Sequence, residues 1–268
     1  MRAALESEAL LFCGDPHAKF AHIVETASQP KPQAVILLGD MEPRVSLQDE
    51  MAPLTRAGVP WYFIAGNHDA DSDVLAERVW NAGTEPFNLH GCVVTLPSGL
   101  RLAGLAGVFR EAVYYSTASS ARAGLPAFRT REEHAAATPR QDRWKGRPHR
   151  KHLGTIYPSD IDRLADMQAD VLVCHEASGY HPNGFSILDT LAQSMGVKAL
   201  VHGHQHDALP SRELWAGQGF ASIGVGLRGV TGVVVDATGG VRIEVVRKGE
   251  LDDERGRHRA IRAGPCDD

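Results

Sequence analysis

Eight polar side chains stand just behind five short apolar runs. Asp15 and His17 follow ALLFC, Asp40 follows AVILL, and Asn67 and His68 follow WYFIA. His175 follows DVLVC, and His204 and His206 follow KALV. Their donor atoms are carboxylate oxygen, amide oxygen and imidazole nitrogen, with no sulfur. Such a set suits Mn, Fe, Zn, Co or Ni rather than a structural thiolate zinc site. The donors are too many for one tetrahedral ion, whereas two ions sharing a ligand would use them. A carboxylate, having two oxygens, is the natural bridge. Two ions about 3.5–4 Å apart make a clamp for in-line displacement at phosphorus. Gly-Asp and Gly-Asn also occur at ordinary turns, so the metal reading rests on all five clusters taken together.

The elements that must position these residues are legible in the same runs. Short segments rich in Val, Ile, Leu and aromatics read as buried strands. Between them, HAKFAHIVETAS, SLQDEMAPLTRAG, DSDVLAERVWNAG, SDIDRLADMQA and FSILDTLAQSMGV carry apolar residues at helical spacing. Ser159 and Asp160 offer an N-cap for the fourth, and Gly196 closes the fifth. Alternating strand and helix signals argue for an α/β layer structure. In such sheets ligands bind beyond the carboxyl ends of the strands, where all five clusters lie. Two further stretches, VVTLPSGLRLAGLAGVF and GFASIGVGLRGVTGVVVDATGGVRIEVV, read as β-hairpins of a second sheet or of edge strands.

The chain of 268 residues is long enough for a substantial core, and 43% hydrophobic against 23% charged residues is the balance of a globular protein. A net charge of -5 provides no global basic field for non-specific nucleic-acid binding. The four cysteines form no close pair, which fits free thiols in a reducing compartment; Cys13 and Cys174 fall in strands and read as core thiols. No apolar run reaches membrane-spanning or signal-peptide length. A cytoplasmic protein with no membrane partner is expected.

Asp15-x-His17, Gly39-Asp40, Gly66-Asn67-His68-Asp69, a lone His175 behind a strand, and Gly203-His204-x-His206 occur in that order between residues 13 and 207. This succession resembles the five-block pattern of calcineurin-like metallophosphoesterases. The resemblance implies a four-layer α/β sandwich, two mixed β-sheets flanked by helices. It implies that Asp15, His17, Asp40 and His206 hold one metal ion, and that Asp40, Asn67, His175 and His204 hold a second, with Asp40 as the bridge. His68 would stay off the metals, bond a phosphoryl oxygen and protonate the leaving group, with Asp69 orienting it. His202 would either support the site from behind or simply end its strand.

The function implied is hydrolysis of a phosphoric ester by in-line attack of a metal-bridging hydroxide. The substrate would be a nucleotide or another small phosphoester, and the enzyme a phosphodiesterase or phosphatase. A phosphoprotein phosphatase is the alternative, although the GDxxDRG pattern is missing; a non-catalytic scaffold of the same fold is another, although no ligand is missing. One domain is expected over residues 1–248, with a charged, flexible tail at 249–268. Within it, residues 110–152 form a polar insert with ten Lys or Arg against four Asp or Glu. Loop and short helix are expected there, either as a solvated arm or as a rim meeting a polyanion such as a nucleic acid, with Tyr114, Tyr115 and Trp144 able to stack on bases. Glu42 and Arg44 read as a solvated loop. His22, His90, His134, His149, His152, His181 and His258 lack ligand spacing and read as surface residues.

Overall fold

The computed structural model describes residues 8–28, 31–81, 83–114, 125–209 and 212–255. Among the described residues, ten strands form two five-stranded sheets. The chain lays down β1 (Leu10–Cys13), β2 (Ala34–Leu37) and β3 (Trp61–Phe63) side by side and parallel. It then builds the second sheet from β4 (Val93–Thr95), β5 (Arg101–Leu105), β6 (Val171–Cys174), β7 (Ala199–His202) and β8 (Ala221–Gly224). In that sheet β5 to β8 run parallel and β4 is antiparallel at the edge. Finally β9 (Val230–Val235) and β10 (Val241–Arg247) return to the first sheet as an antiparallel hairpin beside β1.

Side-chain alternation explains why both sheets read as unbroken apolar runs. Along β6, Val171 and Val173 face the core between the sheets, while Leu172 and Cys174 face the opposite side. Both faces are covered, so both residue sets must be apolar. One hydrophobic core cluster collects Leu10, Phe12, Ile36 and Phe63 from one sheet and Leu102, Val201 and Ile223 from the other. Each such side chain contributes about 1.5–3 kcal/mol by leaving water. Helices α1 (Ala21–Thr26), α2 (Leu47–Glu50), α3 (Ala52–Arg56) and α4 (Asp73–Val79) lie among the strands of the first sheet in sequence. Helices α5 (Arg131–Ala137), α6 (Pro158–Ala165), α7 (Ser186–Ser194) and α8 (Trp215–Gln218) belong to the second half. Leu164 of α6 and Leu188, Leu191 and Ala192 of α7 pack on the outer face of the second sheet. The architecture is the expected α/β arrangement of two mixed sheets with helices. No described helix is long and apolar enough to cross a membrane.

Several local expectations change. The stretch from Gly219 is not one hairpin: β8 stays parallel to β7 in the second sheet, and only β9 and β10 pair as a hairpin. The cap of α6 is Tyr157 rather than Ser159. Pro158 takes the first helical position, and Asp160 accepts the Tyr157 N–H at 2.9 Å from the third. Described parts of the 110–152 segment hold α5, opened by a Thr130–Glu133 capping box, and two 3-10 turns at Arg140–Asp142 and Arg150–Gly154. Residues 249–255, part of the charged tail, are tied down: Asp252 accepts from Ala208 N at 3.2 Å and from Gly249 N at 2.8 Å. Arg255 reaches Asp207 and the carbonyl of Gln205 beside His206. Residues 256–268, and with them His258 and Cys266, lie outside the described residues, as does Tyr115.

Candidate metal centre

The strand ends bring the eight side chains together. β1, β2 and β3 deliver Asp15, His17, Asp40, Asn67 and His68 from one sheet; β6 and β7 deliver His175, His204 and His206 from the other. The site therefore straddles the carboxyl edges of both sheets. Backbone geometry there is unusual. Asp15, His17, Asp40, His204 and His206 all have positive φ, between 39° and 63°. Non-glycine residues rarely take this conformation, and it concentrates where surrounding structure holds side chains to a task. The holding bonds are visible: His17 N donates to Asp40 O at 3.0 Å and Ala18 N to Met41 O at 2.9 Å, fastening the first two loops together. Two glycines are needed for close approach. A Cβ on Gly39, whose φ is +101°, would overlap Nδ1 of His175, and one on Gly66 would overlap Oδ1 of Asp40.

The ligand atoms fall into two clusters with Asp40 in both. Asp15, His17, Asp40 and His206 each offer an atom within 4.8 Å of the others, and so do Asp40, His175 and His204. Asn67 joins the second cluster, its Oδ1 lying 3.3 Å from His175 Nε2. His175 donates its Nδ1–H to Leu38 O at 2.6 Å, which turns Nε2 toward Asn67 Oδ1 and, at 3.4 Å, Asp40 Oδ2. His17 donates its Nδ1–H to Glu42 at 2.7 Å and points Nε2 at His206 Nε2, 3.4 Å away. Acceptors facing acceptors call for a cation between them, and a ring whose far nitrogen is held by a carbonyl or carboxylate is the usual preparation of a histidine ligand. The residues present fit a pair of metal ions.

The electrostatics agree. Burial, joined by the charge on His175, pushes His204 down to about 3. Burial and His17 push His206 down to about 4, so both rings are neutral lone-pair donors at pH 7. Burial works against a charged His175, but the Asp40 and Asp15 carboxylates overcome it and raise the ring to about 10. Burial likewise opposes ionisation of Asp40, yet His175 and the His68 N–H hold its carboxyl well below the usual carboxylate range. Burial pushes Asp15 up to about 7 against the pull of His175. Crowded, dehydrated carboxylates and imidazoles of this kind are stabilised by positive charge placed among them.

His68 sits beside the first cluster, its ring centroid 5.8 Å from that of His17. Its orienting partner is not the expected Asp69. His68 donates Nδ1–H to Asp71 Oδ2 at 2.7 Å, while its backbone N–H reaches Asp40 Oδ1 at 2.9 Å. Asp69 is fully buried and accepts from three backbone groups: Met41 N at 2.8 Å, Glu42 N at 3.1 Å and Gly66 N at 2.8 Å. It locks the Asp40 loop to the Asn67 loop. The chain direction after Asn67 decides this, since residues 68–70 form a 3-10 turn that sends successive side chains to different sides.

Three residues outside the ligand blocks join the site. Glu42 is half-buried on His17 rather than solvated, whereas Arg44 is exposed as expected. Asp71 holds His68. Glu176 is buried, accepts from Phe109 N at 3.2 Å and lies 3.8 Å from His204 Nε2. The only sequence hint was proximity: Glu42 follows Asp40 by two, Asp71 follows His68 by three, and Glu176 adjoins His175. His202 supports the site from behind: it is buried, donates Nδ1–H to Gly203 O at 3.0 Å and accepts from the Tyr180 hydroxyl at 2.7 Å. His134, His152 and His181 are buried rather than superficial, because α5 and the Arg150–Gly154 turn pack inward and the Tyr180 loop closes over His202. The insert is partly docked rather than free: Arg150 donates to Ala70 O and Asp71 O at 2.9 Å, Trp144 donates to Asp73 at 3.1 Å, and Lys145 pairs with Glu77 at 2.7 Å. Cys13 and Cys174 are buried free thiols.

Two mixed sheets, with carboxylates and imidazoles gathered at their shared edge, define a metal-dependent phosphoesterase architecture. The sequence model of the calcineurin-like phosphoesterases matches residues 9–208, and the chain belongs to that family. An uncharacterized protein of Haemophilus influenzae is 37% identical over 198 residues, covering 74% of this chain and 83% of that protein. A Thermus thermophilus protein of known crystal structure is similar in fold, with a TM-score of 0.53 at 12% identity, covering 90% of this chain and 100% of the other. So is a dimetal phosphatase from Danio rerio, with a TM-score of 0.52 at 12% identity, covering 92% and 97%. Family membership and the ligand clusters together support a metal-dependent phosphoester hydrolase.

Proposed function

We propose that this protein hydrolyses a nucleotide or another small phosphoester, as a phosphodiesterase or phosphatase, using two metal ions that share Asp40. The observation that carries the reading is the membership of Asp40 in both ligand clusters. Asp15, His17, Asp40 and His206 would hold one ion, and Asp40, Asn67, His175 and His204 the other. Ions of the Mn, Fe, Zn, Ni or Co type suit these oxygen and nitrogen donors. When bound, they supply activated water and charge neutralisation for in-line displacement at phosphorus.

The chain's own groups supply the rest. Glu42 and the Leu38 carbonyl hold His17 and His175 in the tautomers that present Nε2. Asp69 keeps the two loops that carry Asp40 and Asn67 in register. His68 holds a proton at the place where a leaving oxygen would depart. Burial works against its charged form, but the Asp71 hydrogen bond and the Asp40 charge raise its pKa, and Asp71 fixes the ring through Nδ1. A protonated imidazole so placed can give its proton to an alkoxide, a contribution of about 10²–10⁴ in rate.

The test is a panel of p-nitrophenyl phosphate, bis-p-nitrophenyl phosphate, p-nitrophenyl phenylphosphonate, cyclic nucleotides and dinucleotides, run on metal-stripped protein reloaded with each metal. Asp40→Ala should lose both turnover and bound metal, and His68→Ala turnover alone. Full activity in Asp40→Ala, or no hydrolysis of any ester with any metal, would overturn the reading.

A further inference from the structure

Arg110 belongs to none of the five ligand blocks. It ends the GVFR segment that leaves β5. The preceding residue is pinned to the site, because Phe109 N donates to Glu176, the carboxylate next to His204. The Arg110 carbonyl accepts from Val113 N at 2.9 Å and Tyr114 N at 3.0 Å, so the turn behind it is closed. From this place the guanidinium feels Asp71, Glu176 and Asp40, the carboxylates beside His68, His204 and both metal positions.

Among the described residues Arg110 forms no ion pair, and its buried Nε has no hydrogen-bond partner. The other arginines around it are committed: Arg150 to Asp73, Arg131 to Asp160 and Arg129 to Asp162. A half-buried guanidinium whose Nε is left without an acceptor is costly unless an anion arrives to take that N–H. The planar fork of arginine matches phosphate oxygens two at a time.

We propose that Arg110 receives a non-bridging oxygen of the substrate's phosphoryl group and thereby favours terminal, dianionic phosphate monoesters over singly charged diesters. The inference rests on the hydrolase reading above and deepens it. A monoester carries a second negative charge that the additional cation meets; a diester carries an ester substituent at that position instead.

The experiment uses the full chain loaded with Mn, as wild type, Arg110→Ala and Arg110→Lys. It reads kcat/KM on p-nitrophenyl phosphate and on bis-p-nitrophenyl phosphate, the calorimetric affinity for inorganic phosphate, and bound metal. Arg110→Ala should lower monoester kcat/KM and phosphate affinity by about 10- to 100-fold, the scale of a hydrogen bond to a charged group. The diester value should fall by less than about fivefold, as for a screened single charge. Arg110→Lys should recover part of the loss, and metal content should stay constant. Equal losses on both esters, unchanged phosphate affinity, or loss of metal would each overturn the assignment, the last by showing that Arg110 only offsets its acidic neighbours. If the wild type hydrolyses neither ester, the wider panel of esters and metals decides the hydrolase reading, and phosphate affinity still decides the role of Arg110 by itself.

Discussion

Replacing Asp69 separates two roles that adjacent carboxylates are easily given. In Asp69→Ala three backbone N–H groups, of Met41, Glu42 and Gly66, lose their acceptor inside the fold. Each buried donor left unmatched costs about 1–3 kcal/mol, so the sum is about 3–9 kcal/mol. That is a large part of the 5–15 kcal/mol or so that holds an ordinary domain together, and the variant could fail to fold. Asp69→Asn is the gentler probe. Its oxygen can keep Met41 and Glu42 while its amide faces the Gly66 N–H, donor against donor, at a cost of about 1–3 kcal/mol. The assay is urea unfolding of metal-stripped protein, paired with metal affinity by competition with a chelator. Both should weaken, because the loops carrying Asp40 and Asn67 are no longer held in register. Asp71→Asn is the control. Asp71 is exposed, so stability should move by less than about 1 kcal/mol, whereas turnover should fall about 10- to 100-fold as His68 loses its anchor. If Asp69→Asn leaves stability and metal affinity intact but slows turnover as Asp71→Asn does, Asp69 orients His68 after all, and the loop-locking argument is wrong.

Two further expectations concern the docked segment. Asp160 is 1% exposed and accepts from Arg131 at 2.6 Å and from Tyr157 N at 2.9 Å. Asp160→Asn should cost about 1.5–3 kcal/mol, the scale of a hydrogen bond to a charged group; a midpoint in urea unchanged from wild type would refute it. His152 is pushed down to about 3 by burial first and by the charges of His134 and Lys151 after it, from an ordinary value near 6.5. The unfolded chain therefore binds the proton more readily, and the stability present above about pH 6.5 drains away as pH falls toward 3. His152→Gln should flatten that acid limb in melts taken from pH 7 to 4, and superimposable profiles for the two proteins would count against the buried neutral ring.

The sequence by itself determined the parts that depend on neighbours along the chain. Short apolar runs ending in Gly-Asp, Gly-Asn-His or Gly-His-x-His could only be strands delivering polar groups at their carboxyl ends. Gly39 and Gly66 stood in those motifs, but the room they leave beside His175 and Asp40 belongs to the tertiary structure. The eight candidate donors Asp15, His17, Asp40, Asn67, His68, His175, His204 and His206 followed from residue type and order, and the separation of His68 from the rest only from the family resemblance. What it did not contain was pairing across distance. Tertiary structure alone decided that β8 belongs to one sheet and β9 to the other, that Asp69 grips the Asp40 loop while Asp71 grips His68, and that His134, His152 and His181 are interior. It also decided that Glu176 holds the backbone just before Arg110 while Arg150 is bound to the residues after His68. The physical reason is the range of the forces involved. Strand and turn preferences act over a few residues, whereas the partner of a buried charge is whichever acceptor the packing of two sheets brings within about 3 Å.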